Sequence, residues 1–199
     1  PPWVQEGGYD AWAERLQDPE IRARVKEEMR TPTDEWENLM LAAGYDGVLL
    51  SGFENPALRH LVGKRLSELA EERGQDPEDV AMDLVIEDGS RVGTIYFLMS
   101  KENMHKQAKL PWLSFGSDSA ALDPELDAPF GNPHPRAYGT FARVLGSFVR
   151  EEKLMPLEEA IRKLTHLPAT NLKIRERGSL KVGNYADIVV FDPDSIQDH

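Results

Sequence analysis

Apolar positions in the first part of the chain recur at helical spacing. Ala11, Trp12 and Leu16, and then Ile21, Val25 and Met29, are set among Arg, Glu and Lys, and Pro19 stands near the start of the second group. This pattern predicts two short surface helices with solvated charged faces, following a loop over Pro1 to Gly8. Thr33-Asp34-Glu35 reads as a cap before Trp36, Leu39 and Met40, and Gly44 stops that segment. Val48 to Ser51 is a candidate strand and Asn55-Pro56 a turn. Leu58, Leu61 and Val62 lead through Gly63 to a helix around Leu66 and Leu69, capped by Ser67 or an earlier residue and ended by Gly74. Asp76 then reads as the cap of a further helix, with Pro77 at its first position and Val80, Leu84 and Val85 on one face.

The second half mixes the two periods. Val92 to Met99 is β-branched and aromatic and reads as a strand. Ser100 caps a helix through Lys106, and Trp112 to Phe115 reads as a short strand running straight into Gly116-Ser117-Asp118. After a loop from Leu122 to Pro135, a helix is predicted over about 138–151, with Phe141, Val144, Leu145 and Phe148 on one side. Pro156 starts another, with Leu157, Ala160, Ile161 and Leu164 inward, and Pro168 is expected to end it. Gly178, Gly183-Asn184 and the run Ala186 to Phe191 before Asp192-Pro193 read as a turn-rich β segment.

Composition narrows the function classes. With 35 acidic against 23 basic residues the net charge is -12, which argues against nucleic-acid backbones and anionic membrane surfaces as partners. No long apolar run or basic-then-apolar leader is visible, so a soluble, cytoplasmic protein is the expectation. Cysteine is absent, which excludes disulfides, thiolate zinc sites and a thiol nucleophile within these residues. The chain opens Pro1-Pro2-Trp3 without Met, and the expectation is a numbered sequence that starts inside a longer product.

Candidate chemistry concentrates after the Trp112–Phe115 segment. A carboxylate where strand gives way to loop is a common address for catalysis in barrels of alternating strand and helix, but it is also a common turn residue, and Asp118 alone admits both readings. The five histidines form no HxH or HExxH pattern, and there is no nucleophile elbow or phosphate-binding glycine loop.

Taken together, several segments say more. They are Gly116-Ser117-Asp118, His134-Pro135-Arg136, Gly139-Thr140-Phe141-Ala142-Arg143-Val144-Leu145-Gly146, the stretch Leu157 to Thr165, and Leu167-Pro168-Ala169. This combination resembles the N-acyl-D-amino-acid deacylases (D-aminoacylases). The ending from Arg177 to Pro193 is similar to a C-terminal signature of the wider amidohydrolase superfamily, and Pro1-Pro2-Trp3, Asn55-Pro56, Gly63-Lys64 and Met99-Ser100 before Asn103 extend the likeness over most of the chain.

The resemblance implies an α/β fold: the C-terminal part of a metal-dependent (β/α)8 barrel, with an inserted small α/β domain and a piece of a terminal β-sandwich. The corresponding segments are 1–90 for a lid-like insertion, 91–171 for the barrel and 172–199 for the sandwich. It implies zinc as cofactor, with Asp118 beside the metal and its water, and an N-acyl-D-amino acid as the small-molecule partner. The other metal ligands would precede Pro1, so the chain would need the N-terminal part of the barrel.

Met99 matches a position near the substrate, or is a core residue ending a strand. His134 and Arg136 lie in the loop after Asp118, where Arg136 either meets a substrate carboxylate or pins the loop. The alternatives are another amidohydrolase substrate (a cyclic amide, or an N-acyl-D-glutamate or -aspartate), or a non-catalytic fragment serving as an interaction module.

Overall fold

The computed structural model describes residues 1–120, 122–123 and 133–198. Among these, residues 1–98 with Pro133 form one compact unit, and 99–120, 122–123 and 134–198 form another. Most of the expected loop from Leu122 to Pro135, and His199, lie outside the described residues.

The first unit opens with a 3-10 turn at Pro2–Gln5, followed by helices α1 (Tyr9–Arg15), α2 (Pro19–Arg30) and α3 (Leu39–Ala43). Asp18 starts α2 by accepting the N–H groups of Glu20 (2.8 Å) and Ile21 (3.3 Å), while Pro19 occupies the first position, where no N–H is needed. The cap of α3 is Asn38, whose Oδ1 accepts the Leu41 N–H at 3.0 Å. Thr33 instead closes a tight turn on the Glu35 N–H, so the cap predicted at Thr33 to Glu35 falls a few residues early.

Strand β1 (Val48–Gly52) follows, then a 3-10 segment at Pro56–Leu61 whose start is held by Asn55 Oδ1 on the Ala57 N–H. Helix α4 (Leu66–Arg73) is entered at Arg65, whose N–H is taken by Glu68, so the cap is the earlier residue and Ser67 lies inside the helix. Gly74 closes α4 in the left-handed region at φ 63, where a Cβ would be strained. Helix α5 (Pro77–Asp88) leads to β2 (Gly93–Tyr96).

β1 and β2 pair antiparallel, Val48 with Tyr96 and Leu50 with Thr94, and the register shifts before Gly52 meets Gly93. A Cβ on Gly93 would lie 3.1 Å from both Gly52 N and Ser51 Oγ, which accounts for a glycine at that crossing. The strand predicted over Val92 to Met99 is therefore shorter, because β1 offers pairing partners only along its own length.

α5 divides this unit's core. Val80 and Leu84 join Val48, Leu50, Leu66 and Leu69 in one cluster, and Met82 and Val85 join Val4, Leu16 and Val25 in the other. An ionic seam ties α5 to α2: Arg22 meets Asp79 (3.1 Å) and Asp83 (2.8 Å), Lys26 meets Asp76 (2.9 Å) and Asp79, and Arg30 meets Asp76 (3.0 Å) and Glu78 (2.7 Å). Asp76 makes no side-chain cap bond, contrary to the sequence expectation, because these two cations claim its carboxylate. Glu78 is fully buried. Burial pushes its carboxyl up, but hydrogen bonds from Arg30 and the Tyr45 hydroxyl outweigh that and hold it below its ordinary value.

The second unit contains α6 (Lys101–Ala108), capped by Ser100 Oγ on the Asn103 N–H, then α7 (Arg136–Arg143), which widens without a break into a π-helix over Val144–Glu151. Helices α8 (Leu157–Leu164) and α9 (His166–Asn171) follow. Pro168 does not end α8; it lies in the first turn of α9, where its missing N–H is harmless. The core here is Ala108, Val144, Leu145, Met155 and Ala160, with Phe115, Phe148, Phe191 and Ile196 packed against it. Gly146 lets the C-terminal segment lie on the π-helix, since a Cβ there would come within 2.7 Å of the Ile196 carbonyl oxygen.

Neither Trp112 to Phe115 nor Ala186 to Phe191 joins a ladder among the described residues. Both have strand-like composition, but a strand needs a neighbour to pair with, and no described segment pairs with either. Ile188, Val189 and Val190 are exposed. No helix among the described residues is long and apolar enough to cross a membrane.

Three outcomes test this packing. Arg30→Met should lower the denaturant midpoint of unfolding and leave Glu78 as an uncompensated buried carboxylate. Because the Glu78 pKa is depressed in the folded state, its contribution is present above the ordinary carboxylate range and is lost as pH falls below it. Acid unfolding of the wild type should therefore begin at higher pH than in Glu78→Gln, and identical acid limbs would contradict the seam. Gly146→Ala should cost about 1–3 kcal/mol by forcing backbone apart, read from urea melts.

Candidate active site around Asp118

The second unit holds the segment leading to Asp118 by its backbone. Lys163 on α8 is 1% exposed, and its ammonium donates to the carbonyls of Ala108 (2.5 Å) and Leu110 (2.7 Å), where α6 ends. Burial pulls this ammonium below its ordinary pKa, with Glu159 opposing. The neighbouring Arg162 donates from Nη2 to the Pro111 carbonyl at 2.5 Å, and its Nε and Nη2 are both gripped at 2.7 Å by Glu159. Phe115 packs at a tilt against Phe148, with ring centres 6.3 Å apart. The chain is thus anchored from Ala108 to Phe115 and leaves the surface at Gly116 to Asp118.

Asp118 lies in the left-handed region at φ 48, a conformation that Asp and Asn adopt more readily than other side chains. Its side chain is 91% exposed, and its Oδ2 is 3.2 Å from Arg136 Nη2. Arg136 is the first residue of α7, and its backbone N–H donates to His134 Nδ1 at 3.0 Å. That bond satisfies one of the helix's free N–H groups. Asp118, Arg136 and His134 therefore form one linked chain. Partial desolvation first, and then the Arg136 charge, lowers the His134 pKa, so the ring is neutral near pH 7 and its Nδ1 is free to accept.

Met99 makes none of these contacts. It stands just before the α6 cap with 83% of its surface exposed. No group of three or more His, Asp or Glu is arranged to hold a metal ion among the described residues. A smaller cluster, in which Glu152 meets Lys101 at 3.0 Å and His105 at 2.8 Å, lies along α6 and the end of the π-helix.

Sequence reading missed Lys163 and Arg162. The available signal was Lys163 three residues after Ala160, on the face assigned to the core, where a cation needs buried acceptors.

The amidohydrolase family profile matches residues 62–198. The chain belongs to the amidohydrolase family. This amidohydrolase chain is 38% identical to an N-acyl-D-aspartate deacylase of Alcaligenes xylosoxydans xylosoxydans over 134 residues, which is 64% of this chain and 26% of that protein. It is 38% identical to a D-aminoacylase of the same organism over 138 residues, 69% of this chain and 26% of the relative. Among solved structures, an N-acyl-D-glutamate deacylase from Bordetella bronchiseptica, complexed with zinc and a phosphonate inhibitor that mimics the tetrahedral intermediate, superposes with a TM-score of 0.67 at 34% identity. It covers 81% of this chain and 31% of that one. A D-aminoacylase structure gives a TM-score of 0.63 at 36% identity, covering 76% and 29%. The amidohydrolase chain thus spans about a quarter of the length of the curated relatives it matches. The likeness is to a partial α/β amidohydrolase fold.

Titration of the His134 ring by NMR should give a midpoint below the model-peptide value of about 6.5. A His with a depressed folded pKa contributes stability that is fully present above its unfolded value and is lost as pH falls. His134→Gln should therefore flatten the loss of stability between neutral and mildly acid pH, and a midpoint raised above the model value would contradict the assignment.

Proposed function

We propose that this chain is the C-terminal part of a zinc-dependent hydrolase that cleaves N-acyl-D-amino acids to a carboxylate and a free D-amino acid, with Asp118 as the catalytic carboxylate. The observation that carries this reading is Asp118 itself, an exposed carboxylate on an anchored segment, paired with Arg136, in a chain whose relatives are named as D-amino-acid deacylases. The three curated relatives are equally identical at 38% and are named for different substrates, so the proposal extends to the class and not to one side chain. The barrel, the sandwich piece, the need for an N-terminal part and a cytoplasmic place of action belong to the same proposal. So does the division into a lid-like 1–90, a barrel segment 91–171 and a sandwich segment 172–199. The pairing of β2 with β1 argues for carrying the first boundary on to Leu98.

The described residues fit one corner of a zinc site. Asp118 offers a hard, exposed oxygen donor, and no further His, Asp or Glu completes a set of three around it. Zinc, when bound, supplies a water acidified toward neutral pH and polarises the amide carbonyl. Asp118 accepts the proton that the attacking water gives up and returns it to the nitrogen of the leaving amine. Arg136 uses one edge of its guanidinium to orient Asp118, and its remaining donors are available for the carboxylate of an amino-acid substrate. His134, by holding the Arg136 N–H, fixes where α7 and that guanidinium begin. Met99 is exposed and is assigned to the wall that receives the D-side chain.

Asp118→Asn is the decisive variant, because Asn tolerates the same left-handed backbone and removes only the charge and basicity. In the complete polypeptide that carries these residues, it should lower kcat for N-acetyl-D-methionine by about 10²–10⁴-fold with the fold intact by circular dichroism. The wild type should contain zinc by mass spectrometry and prefer the D- over the L-substrate. Turnover near wild type in the variant would sink the role of Asp118. Cleavage of dihydropyrimidines alone would move the substrate to the cyclic amides, and a polypeptide with neither metal nor turnover would favour an interaction module.

A further inference from the structure

We propose that a cavity inside the first compact unit binds an amphipathic monocarboxylate, an apolar chain ending in one carboxylate, with Arg91 as its anchor. The cavity measures about 580 Å³ and lies between the two apolar clusters that α5 separates. That volume is within the range of small-molecule sites. Its inner wall is the unit's most deeply buried apolar surface, including Leu16, Val25, Val48, Leu50 and Leu84, and Trp12 and Trp36 also line it. The cavity is half open to solvent, so a ligand can enter it, and its apolar wall gains from being covered by an apolar chain.

Arg91 supplies the polar end. It lines the cavity, and it makes no hydrogen bond, ion pair or aromatic contact with any described residue. Of the other arginines in the unit, Arg15, Arg22, Arg24, Arg30, Arg65 and Arg73 bind carbonyls, carboxylates or rings, while the Arg59 side chain is unpaired too but does not line the cavity. Arg91 is exposed, so its guanidinium is hydrated and free to exchange water for the carboxylate of a ligand seated in the cavity. Glu37 is the one acidic residue on the lining, and its charge opposes a second anionic group on the ligand. A dicarboxylate or a phosphate ester is thereby disfavoured and a monocarboxylate with an apolar tail is selected.

The site stands on the cavity and Arg91, and does not require Asp118 to be catalytic. Under the proposed reaction, two molecules share the chemistry: the N-acyl amino acid, and the fatty carboxylate released from it.

The test uses the complete polypeptide with Asp118→Asn added to prevent turnover, and decanoate, N-decanoyl-D-methionine and decanol as probes. Trp36 lies on the lining, so binding should change tryptophan emission, and that change should shrink in Trp36→Phe. Arg91→Met should weaken the carboxylate probe by about tenfold or more while leaving decanol unchanged, and Arg91→Lys should retain part of the affinity. Whichever carboxylate binds more tightly identifies the source of the ligand. Equal affinity for decanoate and decanol, affinity insensitive to Arg91→Met, or no Trp36-dependent signal because another part of the polypeptide fills the cavity would each overturn the proposal. Loss of hydrolysis in the parent enzyme has no bearing on these outcomes.

Discussion

The second unit depends on a buried ammonium. Lys163 is enclosed among the apolar side chains of α8 and α6 and is kept there by two carbonyl oxygens, that of Ala108 at the end of α6 and that of Leu110 just beyond it, which also accepts the Leu113 N–H. An isolated cation would not remain in such a place, and helix-end carbonyls would not stay buried without donors; each makes the other tolerable. The consequence reaches along the chain. With Arg162 holding the next carbonyl at Pro111, the stretch from Ala108 to Phe115 has no freedom to drift, and Asp118 leaves the surface from a fixed base although its own side chain is almost wholly solvated.

The first unit solves a different problem by related means. Its α5 carries apolar residues toward two clusters, so little of the helix is left for solvent, and its acidic first turn must still be accommodated. The three cations of α2 run along that turn and neutralise it, and the fully buried Glu78 is satisfied by Arg30 and Tyr45 together. Within the seam, Glu78 is the carboxylate without access to water, and the others, such as Asp76, keep part of their surface in solvent.

Helices were legible in the sequence wherever periodicity and a stop signal coincided. The starts of α2 at Pro19 and α6 at Ser100, and the end of α4 at Gly74, follow from local chemistry alone. Misplaced features were those decided at a distance. Asp76 has the form of a cap, but its carboxylate is taken by Lys26 and Arg30, some fifty positions earlier. Composition marks Trp112 to Phe115 and Ala186 to Phe191 as strands, yet pairing is a property of two segments and composition describes one. At the candidate site, the residue types and spacing of Asp118, His134 and Arg136 were visible. Their linkage was not, because it depends on the left-handed turn at Asp118 and on where α7 begins.

The exposed run Ile188-Val189-Val190 has a practical meaning. Three β-branched residues outside any ladder, with Val190 92% exposed, present backbone donors and acceptors beside apolar side chains. Such a surface is a template on which a second copy can add edge to edge. Handled alone at high concentration, the chain would tend to self-associate through this run, and a charged residue at Val189 would be the simplest safeguard for keeping it monodisperse.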